Sequence, residues 1–152
     1  MELQLITNGL IKSYQKSFTQ LKNEISLFKE NEDSLWDLTD GVTNTSGNLC
    51  LHLCGNLKHF IGAILGHSGY ERNRPEEFSA IGFSVDELLA KINDTEEMVL
   101  STIKKLTEAD LNAIYPKEIG GNSYTAYEFL LHLHAHMHYH LGQINYLRRI
   151  LN

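Results

Sequence analysis

The sequence lacks any run of about 18 apolar residues, the length a helix needs to cross a bilayer, so no segment reads as a membrane span. It has two prolines in 152 residues, Pro75 and Pro116. That is too few to interrupt long helices, and both lie between periodic stretches rather than inside them. Its two cysteines, Cys50 and Cys54, would sit one turn apart on a helix. Such a pair suits packed thiols and excludes a disulfide framework, and two thiols alone cannot close a zinc site. Reduced thiols fit a cytoplasmic protein. Basic residues are outnumbered, 13 Lys and Arg against 19 Asp and Glu, for a net charge of −6. This leaves no footprint for nucleic acid and argues against an anionic membrane as partner. The stretch MELQLITNGLIKSYQK lacks the basic start, apolar run and small-residue cleavage site of a signal peptide. There is no G-x-x-x-x-G-K-[ST] phosphate loop, no convincing Ser-His-Asp order and no internal repeat.

What the chain does have is helical periodicity. Leu3, Ile6, Leu10, Ser17, Leu21, Ile25 and Phe28 mark one face of a first helix over about Glu2 to Lys29. After the polar stretch NEDSLWDLTDGVTNTSGN, a second helix runs from about Gly47 to Leu65, apolar on most sides and so the most buried. GHSGYERNRPEEFSAIGF reads as loop chemistry. Ser84 and Glu87 have capping-box spacing at the start of a third helix, whose core face is Leu88, Leu89, Ile92, Val99, Ile103 and Leu106. Thr125 and Glu128 repeat that spacing before a fourth helix reaching about Leu151. The expectation is one all-α domain over residues 1–152, a four-helix bundle with connections of roughly 15 to 19 residues, longer than an up-down-up-down bundle needs. Some of that length could cover one end as a lid.

The fourth helix carries HLHAHMHYHLGQ, residues 132–143, with five histidines. At about 100° per residue, with His136 at 0°, Phe129, Leu133, Ile144, Leu147 and Leu151 place the apolar face near 40°. His136 and His140 fall within it, His132 on its flank, and His134 and His138 on the opposite side as solvated surface. Imidazoles at i and i+4 can converge on one ion, which makes HxxxH a half-site in need of a third ligand. The second helix offers a polar stripe of His52, Asn56 and His59, costly on a buried helix unless paired or ligated. Helix geometry does not choose between His52 and His59. The competing reading is a buried histidine network without metal.

The ending H-x-x-x-H-x-G-Q-I, here His136, His140, Gly142, Gln143 and Ile144, followed by LRR, occurs with an early histidine in the apolar second helix NLCLHLCGNLKHFIGA. Together these motifs resemble the DinB/YfiT-like superfamily of metal-associated helical bundles over nearly the whole chain. The resemblance implies a four-helix bundle of up-down-down-up topology and one divalent ion, zinc or nickel, held by His52, His136 and His140. Gln143 and Asn56 could orient a ligand or a bound water from outside the ligand set. Relatives of this kind imply a metal-dependent thiol S-transferase or related hydrolytic enzyme, using a low-molecular-weight thiol and a small electrophile. The alternative is a non-catalytic metal-binding or stress-response module. The family often carries an acid where this chain has Met137, which favours that alternative. Pairing through helix faces, with surplus apolar surface on the second helix, implies a homodimer.

Overall fold

The computed structural model describes residues 2–152. Four long helices are α1 (Glu2–Ser26), α2 (Ser46–Leu57), α4 (Val85–Lys105) and α6 (Ala126–Leu151). Two short ones are α3 (Arg74–Ser79) and α5 (Glu108–Asn112), and a 3₁₀ turn spans Glu32–Trp36. Each expected helix is present. α1 stops three residues earlier than Lys29, yet Phe28 still reaches the core from the turn that follows. α2 runs into a π-helical segment, Lys58–Leu65, so the expected second helix is one continuous rod of two geometries.

The starts of the helices follow from local chemistry. Ser84 and Glu87 close a reciprocal capping box on α4, and Thr125 and Glu128 close one on α6. Thr45 caps α2 by accepting from Asn48 N–H at 3.1 Å. Core positions are then set by period: Tyr14, Phe18, Leu21 and Ile25 from α1 meet Leu88, Ile92, Val99 and Ile103 from α4, all fully buried.

Side-chain contacts give the helix directions. Lys22 pairs with Glu96 and Lys29 with Asp86, each at 2.6 Å, so α1 and α4 are antiparallel. Tyr14 Oη donates to the Leu130 carbonyl at 2.7 Å and Arg148 Nε to Glu24 at 2.6 Å, so α1 and α6 are parallel. Lys58 pairs with Asp94, and Gly62 lies against Met98, so α2 and α4 are parallel. His52 meets His136 while Phe60 meets Phe129, so α2 and α6 are antiparallel. The order is up-down-down-up. α1 and α2 are diagonal, each packed between α4 and α6.

One consequence positions the site. Because α2 and α4 are parallel neighbours, the chain must return along α2 between them. The return, residues 66–84, is not all loop as its composition suggests. Asn73 caps α3, Pro75 sits in its first turn, and α3 lies across α2. Asn48 fastens the end of that crossing by donating to the carbonyls of Glu77 at 3.1 Å and Ala80 at 2.7 Å.

No helix among the described residues is long and apolar enough to cross a membrane. Cys50 and Cys54 are free, buried thiols.

Candidate metal centre

Three imidazoles meet between α2 and α6. His52 is 5% exposed, and His136 and His140 are half-buried. One ring nitrogen from each lies within 4.8 Å of the other two. His136 Nε2 is 3.4 Å from His52 Nε2 and 3.1 Å from His140 Nε2. Of the second-helix candidates, the bundle therefore brings His52 to the fourth-helix pair. His59, seven residues further along the same rod, is half-exposed beside Lys117 and outside the cluster. His132 is exposed and stacks on Tyr124 and Phe129.

The outer nitrogens of two rings are pinned. His52 Nδ1 is 3.0 Å from Glu77 Oε1. Arg72 grips the same carboxylate from behind, with Nε and Nη2 each donating at 2.8 Å. Burial pushes the Glu77 carboxyl up, but the hydrogen bonds from Arg72 and His52 outweigh it and hold the acid below the usual carboxylate range. An ionised carboxylate only accepts, so His52 carries its proton on Nδ1 and turns the Nε2 lone pair inward. His140 Nδ1 likewise meets Gln143 Oε1 at 2.7 Å, which leaves its Nε2 lone pair facing His136. His136 Nδ1 is buried and has no hydrogen-bond partner among the described residues. Burial, then the neighbouring His140 and His52, push His136 down to about 4, and burial lowers His140 as well. Burial thus favours, at His136 and His140, the neutral form that a metal requires.

Glu77 is absent from the sequence-based candidates, and so are Arg72 and Gly55. A methyl group on Gly55 would stand 2.0 Å from Glu77 Oε2. The bare backbone of α2 is what admits the carboxylate to His52. Gln143 stands beside the triad through its contact with His140. Asn56 is buried but makes no hydrogen bond to the triad, and its Oδ1 has no partner among the described residues.

The other pair requires a correction. His138 is exposed, as expected, but His134 is half-buried, and both Nε2 atoms lie against Ser17 Oγ of α1, at 2.8 and 2.7 Å. The helical phase is correct, but the buried face is wider than the five residues that define its apolar stripe. Met137, Leu130 and Leu141, near 100°, 120° and 140°, are also buried, which moves the centre of the face to about 80°. α6 occupies a corner of the bundle with α2 on one flank and α1 on the other. His136 and His140 face the first, and His134 and His138 the second. Met137 is fully buried between them and does not stand at the triad.

A pocket of about 410 Å³ adjoins the triad through Gln143. Leu49, Tyr146, Leu147 and Ile150 make its apolar wall and residues 39–44 its polar one, with Asp40 the one charged side chain among the described residues that line it.

A protein-family model described as "Protein of unknown function (DUF1572)" matches residues 6–152. The fold is similar to the crystal structure of a DinB-like protein from Bacillus cereus, with a TM-score of 0.74 and 18% sequence identity. The match covers 93% of this chain and 90% of that one. No curated protein matches the sequence.

Proposed function

The chain belongs to the DUF1572 family and has a DinB-like fold, and we propose that it holds one divalent metal ion, zinc or nickel, on His52, His136 and His140. The observation that carries this is the convergence of three Nε2 atoms whose outer nitrogens, at His52 and His140, are fixed by Glu77 and Gln143. Carboxylate–histidine and amide–histidine pairs of this kind fix the tautomer and raise ligand basicity. Three neutral ligands leave part of the coordination sphere to water or substrate, as in catalytic rather than closed structural sites. A bound ion supplies Lewis acidity there, lowering the pKa of a coordinated water or thiol toward neutrality.

The chain's own residues then do three things. Glu77, neutralised by Arg72, keeps His52 in its ligating tautomer. Gln143 does the same for His140 and forms part of the pocket wall. The pocket, with one apolar and one polar wall and one acid but no cation among its lining residues, suits a neutral or cationic small electrophile. The activity is metal-dependent transfer of a small thiol to that electrophile, or hydrolysis at the same centre. The protein works in the cytoplasm, where Cys50 and Cys54 stay reduced. It pairs as a homodimer, although α2 is covered by its own chain. The apolar surface for pairing lies at exposed Leu131, Tyr139 and Ile150 of α6.

The test is metal analysis of protein purified without nickel affinity, followed by cobalt substitution and addition of a small thiol. Thiolate ligation adds a sulfur-to-metal charge-transfer band in the near ultraviolet. The band should survive Cys50→Ala/Cys54→Ala and vanish in His140→Ala. A cobalt spectrum indifferent to thiols removes thiol transfer and leaves hydrolysis or a binding role. Protein that takes up no metal removes the whole reading.

A further inference from the structure

On the flank of α6 opposite the triad, three more donor atoms come together. Ser17 Oγ lies 2.8 Å from His134 Nε2 and 2.7 Å from His138 Nε2. Ser17 is fully buried on the otherwise apolar face of α1, beside Tyr14, Phe18 and Leu21. Its hydroxyl is 3.0 Å from the Ser13 carbonyl, which takes its one proton and leaves both oxygen lone pairs facing the two rings. The His134 ring stands edge-on to Tyr14, with centroids 5.0 Å apart, and edge-on to the His138 ring at 4.8 Å. His138 is exposed, so the cluster is reached from solvent.

Two proton arrangements are open to it. With both rings protonated on Nε2, each donates to Ser17 and the cluster is a closed hydrogen-bond hub. With both protonated on Nδ1, the two ring lone pairs point at the two of the hydroxyl, which is repulsive unless a cation lies between them. Passing from the first arrangement to the second moves protons within each ring and releases none.

We propose that Ser17, His134 and His138 form a second divalent-cation site, independent of the triad, that clamps α1 to α6. Its two imidazoles have the same i, i+4 spacing as His136 and His140. Two nitrogens and a neutral hydroxyl select copper, nickel or zinc over calcium or magnesium, which take all-oxygen ligand sets. A hydroxyl is a weaker ligand than a third imidazole, so this site binds less tightly than the triad and water completes the coordination. Because its ligands come from two helices, the ion stabilises the folded chain in proportion to its binding.

The test starts from His52→Ala/His136→Ala. This removes the triad and leaves His134 and His138 as the one remaining i, i+4 histidine pair. With helicity checked by circular dichroism, copper(II) is titrated in and followed by electron paramagnetic resonance. The expected result is one ion per chain with coupling to two imidazole nitrogens. Adding His138→Ala should weaken binding by more than about 100-fold, and adding Ser17→Ala by roughly 10-fold. A folded background variant that binds no stoichiometric copper, or binding indifferent to His138→Ala, overturns the proposal and leaves a hydrogen-bond hub. Should the background variant fail to fold, zinc titration of the unaltered protein decides. Two ions per chain, falling to one in His138→Ala, support the site, and one ion in both overturns it.

Discussion

Glu77 Oε1 stands 3.0 Å from His52 Nδ1, a carboxylate from the crossover helix set against a histidine of the most buried helix. The pair turns His52 into an oriented ligand. Glu77→Gln keeps the shape but removes the charge that holds the proton on Nδ1. It should weaken metal binding by roughly 10- to 100-fold while leaving the fold intact. Isothermal titration with zinc measures this, and unchanged affinity would show that the carboxylate does not tune the site.

Gly55→Ala should act on the same pair from the other side. The added methyl would meet Glu77 Oε2 at 2.0 Å, so the carboxylate must move off His52. The expected outcome is a loss of zinc affinity similar to that of Glu77→Gln. The two changes together should cost little more than either alone, because both remove one interaction. Additive losses in a double-mutant cycle would place the glycine's effect elsewhere.

Single alanine replacements of His52, His136 and His140 should each abolish tight binding of one ion. His134→Ala and His138→Ala should spare it, because those rings face α1. Equal losses at all five positions, read by metal content after dialysis, would mean that the triad is not the binding unit.

The metal-free protein should lose stability as the pH falls from 6.5 toward about 4. Burial and its histidine neighbours push His136 down from 6.5 to about 4, and His140 moves the same way. Across that window the unfolded chain binds more protons than the native one, so stability rises with pH and falls on acidification. Urea midpoints measured at pH 7 and pH 5 should differ in that direction, and His136→Gln should narrow the difference. A midpoint independent of pH would show that His136 is not held neutral by the fold. Bound metal should persist below the pH at which free imidazole gains its proton, since protons compete weakly for a ring held down to about 4.

Thr125→Ala removes the hydroxyl that accepts from Glu128 N–H and half of the capping box on α6. A loss of about 1 kcal/mol is expected, visible as a lower thermal midpoint with unchanged metal stoichiometry. A Thr125→Ala protein of wild-type stability would argue that tertiary packing alone fixes the start of α6.

Local chemistry makes much of this molecule legible in its sequence. The four long helices are written in residues three and four apart, and capping boxes at Ser84 and Thr125 depend on neighbours within one turn. The pairing of His136 with His140 is legible for the same reason. The topology and the partners of those histidines are not local. Six residues of α3 are too few to show a period, and only Asn73 and Pro75 mark it in a stretch that otherwise reads as loop. Nothing near Glu77 singles it out among 19 acids. It meets His52 because parallel α2 and α4 force the chain back across α2, where Gly55 leaves room. Ser17 meets His134 and His138 because α6 sits in a corner with two neighbours, whereas a helical wheel drawn from one apolar stripe assumes one. Periodicity determines which residues share a face, and only the packing of the bundle decides what each face meets.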